Sequence, residues 1–119
     1  MTGTAGPSAP PQVSVVIPTH NRAGMVTETL RALGGQEDAP PFEVIVVDDA
    51  STDDTQDVLR LLADGFPVPL IALRQATNRG PATARNQGWR SARGDIVCFT
   101  DDDCVPQPGW LAALVDGLG

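Results

Sequence analysis

Apolar residues recur in two rhythms along this chain, and the two alternate. Val13, Val15, Val16 and Ile17 form a short β-branched run closed by Pro18, the pattern of a strand buried on both faces. After a polar turn over 19–22, Met25 or Val26, then Leu30 and Leu33, share one face of a helix predicted over 23–33, which Gly34-Gly35 ends. A second continuous strand, Phe42–Val47 (FEVIVV), is broken by Asp48-Asp49. Ser51–Asp54 offers capping oxygens to a second helix, about 54–63, whose expected core face is Val58, Leu59, Leu61 and Leu62. A third strand is predicted over 68–73, and Pro69 within it marks a sheet edge. Gly80-Pro81 opens a third helix running to about Ala92, because proline suits the first helical position. Asp95–Thr100 (DIVCFT) reads as a fourth strand, followed by Asp101-Asp102-Asp103. A fourth helix, about 109–118, is expected to turn Trp110, Leu111, Leu114 and Val115 inward.

The order β-α-β-α-β-α-β-α predicts an α/β fold: a Rossmann-like parallel sheet of about four strands, with right-handed crossovers and helices on both faces. Ligands of such sheets bind at the carboxyl ends of the strands, near the point where strand order reverses. The polar clusters fall at those ends. PTHNR follows the first strand, DDAST the second and TDDD the fourth.

Composition narrows the picture. Residues 1–12 are rich in Gly, Ser, Thr and Pro without apolar periodicity and are expected to form a flexible tail, leaving 13–119 as one domain. The net charge of −7 argues against docking on nucleic acid or an anionic membrane. No apolar run approaches the ~18 residues of a membrane span, and the start lacks the basic and apolar regions of a signal peptide. Two cysteines, Cys98 and Cys104, are too few for a disulfide scaffold or a structural zinc site. These features together predict a cytoplasmic protein with free thiols.

Three consecutive carboxylates at a strand end repel one another and favour a bound cation. Clustered oxygens suit Mg²⁺ or Mn²⁺, which keep several waters and are completed by substrate phosphates. In an extended stretch Asp101 and Asp103 point to one side, so that both carboxylates can face one ion. Asp49 can accept a hydrogen bond from a nucleobase N–H. The only histidine, His20, has no nearby partner for metal binding, and its flat ring can stack on a base. Arg85, in the third helix, is a candidate diphosphate contact. The phosphate-cradling glycine loops G-x-x-x-x-G-K-[ST] and G-x-G-x-x-G are missing, as is a G-x-S-x-G elbow, so phosphate binding is expected to run through a metal.

VSVVIPTHNR (13–22), FEVIVVDDASTDDT (42–55), NRGPATARNQGWRSARGDIVCFTDDD (78–103) and the VPQPGWLAAL that follows resemble the family 2 glycosyltransferases, inverting enzymes of the GT-A fold. The resemblance runs from Val13 to Leu118. It implies that Pro18, Thr19 and His20 line the base pocket of a nucleotide sugar, usually a UDP-sugar. Asp49 would read the base with Asp48 in support, and Arg22 and Ser51 would join the same nucleotide-sugar-binding set. Arg85 would lie on the nucleotide side. Asp101 and Asp103 match a D-x-D motif, Asp103 holding Mn²⁺ or Mg²⁺ and Asp101 or Asp102 approaching the ribose. The family commonly has Tyr where His20 stands and another Asp where Cys104 stands.

Family members continue into a second half that holds the acceptor site and the catalytic base. The resemblance therefore implies the N-terminal, nucleotide-sugar-binding half of a transferase, with no catalytic residue identified in this chain and an acceptor that is unknown. A binding module completed by a partner is the alternative. A phosphoacceptor receiver domain also suits the length and alternation, but it needs a lysine and the chain has none. A sheet ending at the fourth strand is further expected to leave an uncovered edge through which copies self-associate.

Overall fold

A computed structural model describes residues 10–118. The expected tail lies outside the described residues for positions 1–9. Its last residue, Gln12, is already tied into the sheet: its N–H donates to the Pro41 carbonyl (2.8 Å) and its own carbonyl accepts from Ile96 (3.1 Å).

Eight elements alternate in chain order: β1 (Val13–Thr19), α1 (Ala23–Gly34), β2 (Phe42–Asp49), α2 (Thr55–Ala63), β3 (Leu70–Gln75), α3 (Pro81–Arg90), β4 (Ile96–Phe99) and α4 (Trp110–Asp116). The strands form one parallel sheet in the order β3-β2-β1-β4. β1 therefore pairs with β2 on one side and β4 on the other, so strand order reverses between β1 and β4. This arrangement also separates the chain from receiver domains, whose flavodoxin-like order is 2-1-3-4-5.

Every residue of β1 and β2 is buried, whereas β3 and β4 are only partly covered, as edge strands are. β2 runs past the expected Val47 because Asp48 and Asp49 pair in register with Arg74 and Gln75. β3 begins after Pro69 rather than before it. Proline has no N–H to give the ladder, and Pro69 contributes only its carbonyl, to Val44 N–H (2.9 Å).

Side-chain alternation divides the sheet into two unequal faces. Val13, Val15, Ile17, Val44 and Val46 pack under Val26, Leu30 and Leu33 of α1, Leu59 of α2 and Leu111 of α4. Each such fully buried aliphatic side chain contributes roughly 1.5–3 kcal/mol. Of Met25 or Val26, it is Val26 that faces the core. Two expected core residues point outward instead, Leu61 at 75% exposed and Leu114 at 37%, and neighbours on the narrower buried stripe (Leu59, Leu111) take the inward places.

Among the described residues, α3 is the helix that covers the opposite face, through Ala84 on Val16, Ile45 and Val47. The helix sits close because position 88 is glycine. A Cβ there would come within 2.4 Å of Val16 Cγ1 and 3.2 Å of Val47 Cγ2.

Candidate functional site

The carboxyl ends of β1, β2 and β4 open into a cavity of about 370 Å³ lined by Pro18, Thr19, His20, Arg22, Asp49, Pro81, Asp101, Asp102 and Asp103. It lies at the reversal of strand order, where parallel α/β sheets bind ligands. The three polar clusters that are far apart in sequence thus meet at one place.

Strand alternation splits the Asp48-Asp49 pair. Asp49 turns toward α3, where Oδ1 accepts from Gln75 Nε2 (2.7 Å) and Arg79 N–H (2.8 Å) while Oδ2 accepts from Gly80 N–H (2.8 Å). Burial alone would push this carboxyl up, but the three donors outweigh it and hold it below the usual carboxylate range. The loop it gathers needs Gly80, whose φ of +92° is open to a residue without Cβ. Asp48 turns to the other face and is not among the cavity-lining residues. Its Oδ1 accepts from Ser51 N–H (3.0 Å) and its Oδ2 lies 3.5 Å from Arg74 Nη1. Ser51, also outside the cavity, accepts from Asn21 N–H (2.8 Å) and so ties the β2–α2 loop to the β1–α1 loop. Asp53, one residue before the Asp54 N-cap, accepts from the N–H of Thr55, the first residue of α2 (3.0 Å); the Thr55 hydroxyl, more than the opposing burial, holds the Asp53 carboxyl low.

The acidic triplet forms a turn rather than an extended stretch, and the turn sorts its members. Asp102 is buried, accepting from Thr19 Oγ1 (2.8 Å) and from Arg22 Nη1 (3.2 Å). Asp101 and Asp103 stay exposed. Their carboxylate oxygens and the Cys104 sulfur lie within 4.8 Å of one another. Arg22 reaches Asp103 as well (3.8 Å), so one guanidinium faces two of the three carboxylates. Thr29, buried on α1, pins the turn from behind by its hydroxyl, which lies 2.9 Å from the Asp102 carbonyl and also within reach of the Cys104 carbonyl.

Arg85 lies elsewhere. It lines a second cavity of about 690 Å³ with Ala82, Asn86, Trp89, Phe99, Thr100, Cys104 and Trp110, and Asp101 is the residue common to both cavities. Cys98 is free, and burial pushes its thiol up to about 11, which leaves it unreactive.

Three residues that organise the site were not singled out along the chain: Asn21, within PTHNR, and Thr29 and Gln75 act through hydrogen bonds to residues 26–75 positions away. Away from the site, Glu43 left a trace as a charge inside the apolar run FEVIVV. It is fully buried at the amino end of the sheet, accepting from Ser14 Oγ (2.6 Å), Arg93 N–H (2.8 Å) and Arg93 Nε (3.0 Å).

A parallel sheet of 3-2-1-4 order with an acid-lined cleft at its reversal point defines the class: a Rossmann-like α/β domain. The sequence profile described as Glycosyl transferase family 2 matches residues 14–119, and the chain belongs to that family. Validoxylamine A glucosyltransferase of Streptomyces hygroscopicus subsp. limoneus is 38% identical over 106 residues, covering 88% of this chain and 23% of that enzyme. Among solved structures, S. aureus TarS (residues 1–349) in complex with UDP superposes with a TM-score of 0.79 at 36% identity, over 89% of this chain and 32% of that one. The mannosyltransferase PcManGT of Pyrobaculum calidifontis, in complex with GDP-Man and Mn²⁺, gives a TM-score of 0.75 at 39% identity, over 84% of this chain and 30% of that one. The chain spans 23–25% of the length of the first curated relatives that it matches.

Proposed function

We propose that this chain binds the nucleotide-sugar donor, a UDP-sugar, of an inverting glycosyltransferase, with Mn²⁺ or Mg²⁺ held at the acidic turn. The observation that carries the reading is the single cavity in which Pro18, Thr19, His20 and Asp49 face Asp101, Asp102 and Asp103. One wall offers a flat ring and a buried carboxylate to a base, and the other offers carboxylates to a cation. The complexes of TarS with UDP and of PcManGT with GDP-Man and Mn²⁺ support the choice of ligand class.

The donor set fits a hard divalent ion. Asp101 and Asp103 supply two exposed carboxylates converging within 4.8 Å, leaving room for the waters that Mg²⁺ and Mn²⁺ retain. Asp102 is committed to Thr19 and Arg22 and so acts as the support of the turn. When bound, the metal would neutralise the charge of a departing diphosphate as a Lewis acid. The protein's own contribution is orientation. His20 and Pro18 would hold the base, Thr19 and Arg22 would fix the turn, and Arg85 would approach from the second cavity through the shared Asp101.

Inverting transfer also needs a base opposite the leaving group to deprotonate the acceptor hydroxyl. After Asp103 the chain carries a single carboxylate, Asp116 on α4, which is not among the cavity-lining residues. The short share of the relatives' length favours donor binding, with transfer completed by further protein, over transfer by these residues alone. Titration calorimetry of UDP with and without Mn²⁺ tests the site. Asp103→Ala is expected to weaken Mn²⁺-dependent binding by more than about tenfold while the circular dichroism spectrum stays unchanged. Equal affinity in the variant overturns the metal assignment.

A further inference from the structure

Asn21 occupies the left-handed region at φ +53°, between His20 and Arg22 in the β1–α1 loop. Its side-chain amide cannot be turned over without loss. Oδ1 accepts from Thr52 N–H (2.7 Å) and Asp53 N–H (3.2 Å), two backbone donors that leave no choice about which end is oxygen. Nδ2 is therefore the end that lies 3.2 Å from His20 Nε2. The Asn78 amide lies 3.3 Å from the same nitrogen. A ring nitrogen facing the Asn21 N–H must be an acceptor, so Nε2 carries no proton, and the Asn78 amide can turn its own N–H to it. On the other side of the ring, Nδ1 faces the Asp49 carbonyl, which can only accept, so Nδ1 carries it. The two constraints agree on one neutral tautomer.

We propose that Asn21 is a positioning residue that locks His20 as the neutral Nδ1–H tautomer. Both ring nitrogens are thereby spent on the protein, and a nucleotide is offered only the face of the imidazole. This deepens the donor-binding reading and rests on it for the ligand. His20 acts as a stacking wall that does not tell one base edge from another, and it is neither a general base nor a metal ligand. The chain of contacts also couples the β2–α2 loop to the β1–α1 loop and to the end of β2: the β2–α2 loop fixes Asn21, Asn21 fixes His20, and His20 holds the end of β2 through the Asp49 carbonyl.

Nitrogen-15 NMR of the histidine ring in the ligand-free protein reads the tautomer directly, without any nucleotide. The wild-type chain is expected to show a protonated Nδ1 and an unprotonated Nε2 at neutral pH. Asn21→Asp keeps an oxygen for Thr52 and Asp53 but sets a second oxygen against Nε2 while the Asp49 carbonyl still faces Nδ1, so Nε2 should take a proton from solvent with Nδ1 keeping its own, and the Nε2 resonance should move to the protonated position. Asn21→Gly keeps the backbone conformation and removes the amide. It should leave the ring exchanging between tautomers and weaken UDP binding by roughly three- to tenfold through lost preorganisation. A wild-type ring protonated at Nε2, or an Nε2 that stays unprotonated in Asn21→Asp, overturns the proposal. A wild-type chain with the Nδ1–H tautomer that binds no UDP upholds the lock and overturns the donor-binding reading instead.

Discussion

Glu43 and Asp49 stand near opposite ends of β2, on the same face of the sheet, and do nearly the same thing. Each is a buried carboxylate that accepts a backbone N–H from a segment flanking α3: Asp49 from Arg79 and Gly80 before the helix, Glu43 from Arg93 after it. Each completes its shell with side-chain donors, Gln75 for Asp49 and Ser14 with the Arg93 guanidinium for Glu43. In both, burial is the largest influence and pushes the carboxyl up, yet the combined hydrogen bonds bring it below the ordinary range. The difference is position. Asp49 sits at the carboxyl end of the sheet and forms part of the cavity wall, while Glu43 sits at the amino end with no cavity beside it among those described. Perturbed acidity does not separate a cavity-facing carboxylate from one buried away from it here; strand direction does.

The comparison requires that α3 is what both carboxylates hold, and the most damaging test is to push the helix away. Gly88→Ala places a methyl 2.4 Å from Val16 Cγ1, and it should cost about 2–3 kcal/mol in urea unfolding and weaken UDP binding as well. Retention of full stability would show that α3 is not anchored as described. Next in size, Glu43→Ala strands the Ser14 hydroxyl and Arg93 N–H and should cost about 2 kcal/mol, with UDP affinity of the folded protein unchanged. Asp49→Asn should cost less stability, about 1 kcal/mol, because only one oxygen is replaced by a donor, yet it should reduce UDP affinity. Equal effects of the two variants on binding would erase the distinction between the ends of the sheet.

Acid titration sharpens the likeness. A carboxyl held low in the folded state contributes stability that is fully present above its unfolded value and lost as pH falls through the folded one. The melting temperature should therefore be flat down to about pH 5 and drop below it, with a shallower drop in Glu43→Gln. A steeper drop in that variant would contradict the assignment. The smallest effect concerns the β4 edge, which among the described residues pairs only with β1 and exposes Phe99. Concentration-dependent association in sedimentation is expected for the wild type and should weaken in Phe99→Lys, since a charge blunts an edge strand. Association unchanged in the variant would exclude this edge as its route.

The alternation of elements, the parallel sheet, the edge position of the strand after Pro69 and the helix opened by Gly80-Pro81 were all legible along the chain. These rest on local rules: β-branched runs, helical spacing, and residues that cannot continue an element. The convergence of PTHNR, DDAST and TDDD was legible as well, because parallel strands bring their carboxyl ends to one side of the sheet. The finer sorting was not. Alternation along β2 requires that Asp48 and Asp49 point apart, but only the packed loops reveal that Asp49 lines the cavity while Asp48 braces Ser51. The same holds for the triplet, where the turn buries Asp102 against Thr19 and leaves Asp101 and Asp103 outside.

What the chain by itself determined, then, is which elements form and at which edge of the sheet the chemistry gathers. What the tertiary structure alone decided is the duty of each polar side chain there. Hydrogen bonds are short-ranged and directional, and the donors that settle Asp49, Asp102 and Glu43 come from segments distant in sequence. No spacing along the chain encodes those partners until the sheet has brought its strands, and the loops they carry, side by side.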